Sequence, residues 1–152
     1  MAVYKIVTIP DAVLRSKSIP VKKINAGVLR VLDNMRETMY TFDGVGLAAI
    51  QIGVPKRMIV VDPGDNFMEL INPVITSRDG EKSASEGCLS VPGKVGLVKR
   101  AQKVTVEALD REGKEITIEA EDLFARVLQH EIDHLDGILF TDIASHIRED
   151  ED

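Results

Sequence analysis

Two histidines and a glutamate late in the chain have the types and spacing to hold a metal ion and a water molecule. His130 and His134 lie four residues apart, and Glu131 directly follows the first. On an α-helix both imidazoles share one face, offset by about 6 Å along the axis, so both can reach one ion. Glu131 points about 100° away around the helix, which suits a group that holds a metal-bound water better than a third ligand. The motif predicts a divalent-metal centre.

A catalytic metal site of this kind needs a third protein ligand and an open position for water or substrate. In the protease pattern His-x-x-x-His-x-x-Gly-x-x-His that ligand is a histidine, but Phe140 occupies its position here and cannot bind a metal. A downstream glutamate would have to be Glu149 or Glu151, both in the tail. A single cysteine is more often a small buried hydrophobic residue. Cys88 is nevertheless the favoured third ligand, because the two histidines otherwise lack one.

A third segment, residues 44–53, is rich in small residues and contains Gln51. It does not fit a phosphate-binding loop, because no Lys-Ser/Thr pair follows the glycines. Small residues let the backbone approach a ligand closely, and the glutamine offers an amide donor. A tight turn leading into a strand is an equally good interpretation of this segment alone.

Apolar residues at helical spacing predict two long helices. The first covers residues 28–42 and is stopped by the turn residues Asp43 and Gly44. The second has Asp122 as its N-cap, carries both histidines, and has Gly137 where a left-handed C-terminal residue belongs. Its apolar residues cover a broad front, so we expect most of this helix to be buried.

Short runs of β-forming residues predict strands between the two helices, at residues 58–61, 69–71, 104–109 and 116–120. The last two alternate around a polar turn at 110–113 and predict a β-hairpin. Long helices that bracket a run of strands favour an α+β fold over alternating βαβ units.

Composition limits the remaining possibilities. The chain has 152 residues, a formal net charge of −6 and one cysteine. This length fits a single domain over 1–152, with the acidic end 147–152 expected to be solvated and frayed. The negative charge argues against a nucleic-acid-binding face, and one cysteine excludes an intramolecular disulfide. No apolar run approaches the ~18 residues that cross a bilayer, and the first residues do not form a secretory signal, so we expect a cytoplasmic protein.

Taken together, three motifs resemble those of the peptide deformylases: GVGLAAIQ at 44–51, EGCLS at 86–90 and QHEIDH at 129–134. The resemblance extends from Ile9-Pro10 to Leu139-Phe140. It implies removal of the formyl group from the N-terminal formyl-methionine of new polypeptides. It also implies an α+β fold in which mixed or antiparallel strands pack against a central metal-binding helix. One divalent ion per chain is implied, most often ferrous iron (Fe2+), with Zn2+, Ni2+ or Co2+ able to occupy the same site.

The resemblance also assigns roles to residues. Cys88, His130 and His134 would hold the metal, which lowers the pKa of a bound water toward ~7 and supplies hydroxide as the nucleophile. Glu131 would be the general acid and base. The Gln51 side chain and the Leu89 backbone N–H are the expected hydrogen-bond donors to the oxyanion.

Substrate contacts are expected from two segments. Backbone groups of the first glycine motif could pair with the bound peptide as an added strand, and apolar residues of the metal helix could wall a side-chain pocket with Arg126 at its rim. The residues expected to contact substrate are Gly44, Val45, Gly46, Leu123, Arg126 and Val127. Val95 stands where several family members have an arginine that anchors the substrate backbone. The resemblance further implies an ion pair between Glu86 and Arg100 that steadies the Cys88 loop.

For partners, we expect N-formyl-methionyl nascent peptides, a transient association with the ribosome, a monomeric chain, and no membrane or direct nucleic-acid binding. Two other functions remain open. A zinc metallopeptidase would cleave unformylated peptides, but the missing third histidine disfavours it. A non-catalytic metal-binding module would need a fourth protein ligand and would leave Glu131 and Gln51 without a role.

Overall fold

The computed structural model describes residues 2–150, and these form eight strands, three α-helices and two short 3₁₀ helices. The helices are α1 (Ala26–Thr41), α2 (Asp122–Leu135) and α3 (Phe140–Ile143), with 3₁₀ turns at Ala12–Arg15 and Ala49–Ile52. The strands are β1 (Gly46–Ala48), β2 (Met58–Val61), β3 (Met68–Asp79), β4 (Lys82–Cys88), β5 (Val91–Arg100), β6 (Lys103–Leu109), β7 (Glu115–Glu121) and β8 (Ser145–Glu149). This arrangement confirms the predicted α+β class.

Five antiparallel strands, in the order β1-β2-β3-β6-β7, form the main sheet between the two long helices. Along β2 the side chains alternate: Ile59 and Val61 belong to the core packed around α2, whereas Met58 and Val60 belong to the core packed around α1. All four are fully buried. A strand covered on both faces needs a continuous apolar run, and residues 58–61 supply one.

Helix α1 begins with a side-chain cap. The Asn25 Oδ1 accepts a hydrogen bond from the Val28 N–H at 3.0 Å, which satisfies one of the free donors at the helix start. After the helix, Asp43 adopts a left-handed conformation with φ of 56°, and the Gly44 N–H bonds back to the Met39 carbonyl at 2.9 Å. The predicted helix and its stop are therefore confirmed, within two residues at its start.

Strand β3 is longer than the predicted 69–71, because it continues through Asn72 and Pro73. The proline lies in a register irregularity between Ile71 and Val74, where a missing ladder hydrogen bond is tolerated. The Asn72 side chain bonds both backbone groups of Val21, at 2.8 and 2.9 Å. The predicted hairpin of β6 and β7 is confirmed over its full length.

A second sheet, in the order β4-β5-β8, carries the cysteine at the end of β4. The sequence did not predict these strands. The expectation of a frayed end at 147–152 is wrong for residues 147–149, because backbone pairing with β5 holds them in β8 even though their side chains are exposed. Residues 151 and 152 lie outside the described part.

Helix α2 begins one residue earlier than predicted. Its N-cap is Glu121, and Asp122 is the first helical residue, with its side chain bonded to Lys82 and Gln102 and not to a helix N–H. The prediction of Asp122 as N-cap is therefore wrong. Gly137 follows the helix with φ of 75°, as predicted, and a Cβ there would lie 2.5 Å from the Arg15 carbonyl oxygen.

The extended N-terminal segment bonds to two of the three sequence motifs and to the residue that directly follows the third. The Val7 N–H bonds the Gln51 carbonyl at 2.7 Å, and the Ile9 N–H bonds the Ser90 carbonyl at 2.9 Å. Farther along, the Ser18 N–H bonds the Leu135 carbonyl at 2.8 Å. This segment therefore links the first two motifs to the end of α2. Within residues 2–150, no helix is long and apolar enough to cross a membrane.

Candidate metal centre and active site

The structure brings together the three residues expected to bind metal. Cys88 ends β4, and His130 and His134 lie one turn apart on α2. One ligand atom from each residue lies within 4.8 Å of the others, and the Cys88 Sγ is 3.3 Å from the His134 Nε2. Sulfur and imidazole nitrogen are ligands that iron and zinc both accept, so the donor set fits a divalent ion.

The surroundings of the histidines also suit a cation. Burial lowers the pKa of His134 well below its usual range, and the neighbouring His130 and Arg100 lower it further, so this imidazole is neutral and its lone pair is available. Burial would also lower the pKa of His130, but its contacts with Cys88 and Glu86 raise it well above the usual value. Those contacts favour positive charge at the position where the three ligands meet.

Glu86 orients His130 by a hydrogen bond with the Nδ1 of its imidazole ring. Its Oε1 accepts a hydrogen bond from the His130 Nδ1 at 2.9 Å, which leaves Nε2 for a metal. Arg100 donates to both oxygens of Glu86, at 2.6 and 2.9 Å, which confirms the expected ion pair. Burial would raise the pKa of Glu86, but the hydrogen bonds from His130 and Arg100 outweigh it and lower the pKa to about 2.

Arg126 differs from the expectation. It borders the pocket, but its side chain is largely buried and does not extend to the rim. Its guanidinium donates to the Glu86 carboxylate at 2.5 Å and to the carbonyls of Val98 and Lys82 at 3.0 and 2.7 Å. The prediction of a rim residue is therefore wrong, because these buried acceptors bind the charged group more strongly than solvent does.

Glu131 is buried and incompletely bonded. It is 5% exposed, and within the described residues its Oε1 has no hydrogen-bond partner. Burial raises the pKa of this carboxyl to about 7, against the opposing effect of nearby His130 and Arg100. A Cβ on Gly46 would lie 2.6 Å from the Glu131 Oε2, so only glycine lets β1 pass this close to the carboxylate.

Gln51 lies beside Cys88 with its amide orientation fixed. Its Oε1 accepts from the Ala48 N–H at 2.9 Å, so its Nε2 must face Ser90 Oγ at 3.1 Å and Cys88 Sγ at 3.6 Å. Sequence reasoning missed the role of Ser90. Its position two residues after the cysteine was a local signal, but nothing in the sequence showed that it would meet a glutamine 39 residues away.

Most of these groups line one pocket of about 410 Å³, but His134, Arg100 and Ser90 are not among its lining residues. Two of its apolar residues, Val45 and Leu123, are about half exposed at 48% and 54%. Every residue expected to contact substrate lines it, together with the groups expected to act in catalysis: Gly44, Val45, Gly46, Gln51, Cys88, Leu89, Leu123, Arg126, Val127, His130 and Glu131.

Comparison with known sequences gives a consistent result. The family model described as Polypeptide deformylase matches residues 3–150. The peptide deformylase of Syntrophomonas wolfei is 65% identical over 148 residues, which cover 97% of this chain and 97% of that protein. The peptide deformylase of Pelotomaculum thermopropionicum is 57% identical over 148 residues, covering 97% of this chain and 96% of that protein.

Solved structures agree with the sequence matches. The crystal structure of peptide deformylase from Thermotoga maritima superposes with a TM-score of 0.93 at 39% identity, covering 95% of this chain and 99% of that chain. The Ehrlichia chaffeensis enzyme in complex with actinonin has a TM-score of 0.93 at 39% identity, covering 96% and 91%. Motifs, fold and relatives lead to one conclusion: the chain belongs to the polypeptide deformylase family.

Proposed function

We propose that this chain carries out the reaction of its family with the groups that line the pocket. That reaction removes the formyl group from the N-terminal methionine of newly synthesised polypeptides and releases formate. The observation that carries the assignment of roles is the position of Glu131. Its buried carboxylate has one oxygen unbonded within the described residues, and Glu131 lines the same pocket as Cys88 and His130.

Cys88, His130 and His134 would hold one divalent ion. The fit rests on the donor set itself and on the free Nε2 that Glu86 leaves on His130. When bound, the ion supplies an activated water and polarises the formyl oxygen. Three protein ligands, with no fourth His, Cys, Asp or Glu in the cluster within residues 2–150, leave room for water or substrate.

Glu131 moves the proton. It takes a proton from the attacking water as the new carbon–oxygen bond forms, and delivers it to the methionine nitrogen as the carbon–nitrogen bond breaks. The products are formate and a free amine. A pKa near 7 suits this task, because an acid–base group works best when its pKa lies close to the working pH.

Gln51 and Leu89 stabilise the negative charge that develops on the formyl oxygen. The Gln51 Nε2 lies at the wall of the pocket with its orientation already set, so no reorganisation is needed when charge develops. The backbone N–H of Leu89, directly after the cysteine, is the second donor in this proposal.

The substrate backbone pairs with the edge of the main sheet. Strand β1 is the edge strand of that sheet, and Gly44, Val45 and Gly46 line the pocket beside it. An extended peptide can add to such an edge through main-chain hydrogen bonds. The methionine side chain then occupies the apolar part of the pocket, between Leu123 and Val127 of α2.

The two competing functions predict different products from the dipeptide formyl-Met-Ala. The deformylase proposal predicts formate and intact Met-Ala. A zinc metallopeptidase would release alanine, and would also cleave unformylated Met-Ala. A non-catalytic metal-binding module would release neither product. Release of alanine from Met-Ala by the purified chain would overturn the proposed function.

We propose ferrous iron as the physiological metal, on the resemblance to the family, because thiolate and imidazole ligands alone do not distinguish iron from zinc. Enzyme purified without oxygen should then lose activity in air as the iron or the Cys88 thiolate is oxidised. Activity that stays constant in air with zinc bound would contradict this choice.

We further propose that the chain acts as a monomer in the cytoplasm and contacts the ribosome only transiently. All candidate ligands, Glu131 and Gln51 come from one chain, so the site needs no second copy. Light scattering should give a mass near 16.7 kDa. Co-sedimentation with ribosomes should be weak and should decrease with added salt.

A further inference from the structure

The carboxylate of Glu86 receives hydrogen bonds from three different side chains. Its Oε2 accepts from Arg100 Nε at 2.6 Å and from Arg126 Nη1 at 2.5 Å. Its Oε1 accepts from Arg100 Nη2 and from His130 Nδ1, both at 2.9 Å. A carboxylate has about four lone-pair sites, so this one is fully occupied and its orientation is fixed.

Arg126 also joins the two elements that carry the metal ligands. It lies on α2, one turn before His130, and its Nη1 and Nη2 donate to carbonyls of β5 and β4, at Val98 and Lys82. Strand β4 ends at Cys88. A single guanidinium therefore contacts Glu86, which bonds the ligand His130, and Lys82 at the start of the strand that ends at the ligand Cys88.

Arg126 brings a second guanidinium to a cluster that contains two carboxylates. Glu86 and Asp133 carry the negative charges, and Arg100 is shared between them, with its Nη1 2.8 Å from Asp133. Arg126 supplies the second positive charge. Without it, one arginine would serve two buried or half-buried carboxylates, and Glu86 would lose one of the donors that fix it.

We propose that Arg126 is a positioning residue of the metal centre, which acts through Glu86 to hold the His130 imidazole in its ligating orientation. The inference rests on the proposed function and deepens it. Partners behind a metal ligand typically contribute 10–100-fold to metal affinity. Because Arg126 acts one contact farther away, we expect its removal to weaken metal binding about tenfold, at the lower end of that range.

The test uses Co2+ and the metal-free full-length chain, titrated without oxygen. The thiolate-to-cobalt absorption band reports ligation by Cys88, and its titration gives the Kd. Arg126→Met should raise this Kd about tenfold, and Arg126→Lys should restore part of the loss, because it keeps a charged donor. For protein reloaded with excess metal, KM for formyl-Met-Ala should remain near the parent value, because the guanidinium is bonded to Glu86 and to the carbonyls of Val98 and Lys82.

A double-mutant cycle separates positioning from general structural damage. In a Glu86→Gln background, Arg126→Met should change the Co2+ Kd less than twofold, since its partner is already altered. Loss of the bonds to Val98 and Lys82 would act equally in both backgrounds. The matched control is Arg57→Met, which removes an arginine bonded to the Leu135 carbonyl at 3.0 Å on the same helix without touching Glu86.

Five outcomes decide the matter. A tenfold effect that disappears in the Glu86→Gln background and is absent in Arg57→Met supports the proposal. An unchanged Kd in Arg126→Met, or an equal effect in both backgrounds, overturns it while leaving the proposed function intact. A higher KM with unchanged Kd would assign Arg126 to substrate binding and also overturn it. Failure of the parent chain itself to bind Co2+ through Cys88 would overturn the proposed function and this inference together.

Discussion

The two glutamates nearest the metal ligands are equally buried but differ in their hydrogen bonding. Glu86 is 8% exposed, and both of its oxygens are fully bonded. Glu131 is 5% exposed, and one of its oxygens has no partner within the described residues. The pKa of Glu86 is lowered to about 2 and that of Glu131 is raised to about 7. Burial alone therefore does not decide the state of a carboxyl; the donors around it do.

This difference separates a holding role from a reacting role. A carboxylate that is saturated with donors stays ionised and keeps its neighbours in place. A buried carboxyl with a free oxygen can exchange a proton near neutral pH and can bond to a new ligand. Substitutions at Glu131 and Glu86 test whether the two carboxylates divide the work in this way.

The largest effect is expected at Glu131. Replacing it with alanine should lower kcat/KM for formyl-Met-Ala by about 10²–10⁴, because the proton acceptor is lost, while the bound metal is retained. Metal analysis and formate release on the same sample measure both quantities. Glu86→Gln is the contrasting variant. It should lower the amount of bound metal, because Glu86 orients the ligand His130. A Glu131→Ala enzyme that works at the parent rate would show that the free carboxylate has no part in the reaction.

The next effect is expected at Gln51. Gln51→Ala should reduce kcat by about 10²–10³ with little change in KM, because an oxyanion donor acts mainly in the transition state. Steady-state kinetics with formyl-Met-Ala separate the two constants. If KM rose and kcat stayed the same, the amide would be a ground-state substrate contact and the oxyanion role would be wrong.

Gly46 tests how tightly the Glu131 carboxylate is confined. In Gly46→Ala the new Cβ would meet the Glu131 Oε2 at 2.6 Å and Val127 at 2.9 Å, so the carboxylate must move. We expect a loss of about 10² in kcat, as for other small displacements of reacting groups. Gly44→Ala is the control, since the atom closest to its Cβ is a Leu89 methyl at 3.2 Å and its other neighbours lie at 3.5 Å. Equal activities in the two variants would contradict the predicted confinement.

The smallest effect is expected at Ser90, which holds Gln51 in place. Ser90→Ala removes one hydrogen bond to the Gln51 amide, and the amide then loses part of its fixed orientation. A contact of this kind is worth about 1 kcal/mol, so kcat should fall about fivefold. In a Gln51→Ala background the same change should have no further effect. An undiminished loss there would mean that Ser90 acts by another route.

Local patterns predicted the parts of the molecule whose structure depends on near neighbours. The helical spacing of α1, the turn at Asp43 and the hairpin of β6 and β7 all follow from short-range preferences. The pairing of His130 with His134 is likewise a property of one helix turn. These features could be predicted because no distant contact was needed to produce them.

Strands β4 and β8 could not be predicted in this way. Residues 82–87 include no β-branched side chain, and β8 is exposed throughout, so neither shows the alternation typical of a half-buried strand. Both are held by backbone pairing with β5, which directly follows β4 in the chain but is distant in sequence from β8. Whether such a segment forms a strand depends on its pairing partner and not on its own residues.

The conformation of the Arg126 side chain also depends on residues that are distant in sequence. Its helix position was predictable, and it does border the pocket. Its side chain, however, donates hydrogen bonds to Glu86, which is 40 residues away in sequence, and to carbonyls of β4 and β5. The error at this position arose because helix geometry gives the direction of a side chain but not the acceptors it will find.

One measurement tests the central claim directly: X-ray absorption at the edge of the bound metal in enzyme loaded with one equivalent of Fe2+ or Zn2+. Coordination by one sulfur and two imidazole nitrogens, with a remaining oxygen that exchanges with solvent, is the predicted result, and the sulfur signal should vanish in Cys88→Ser. A fully closed shell of protein ligands, or a spectrum unchanged by Cys88→Ser, would contradict the account.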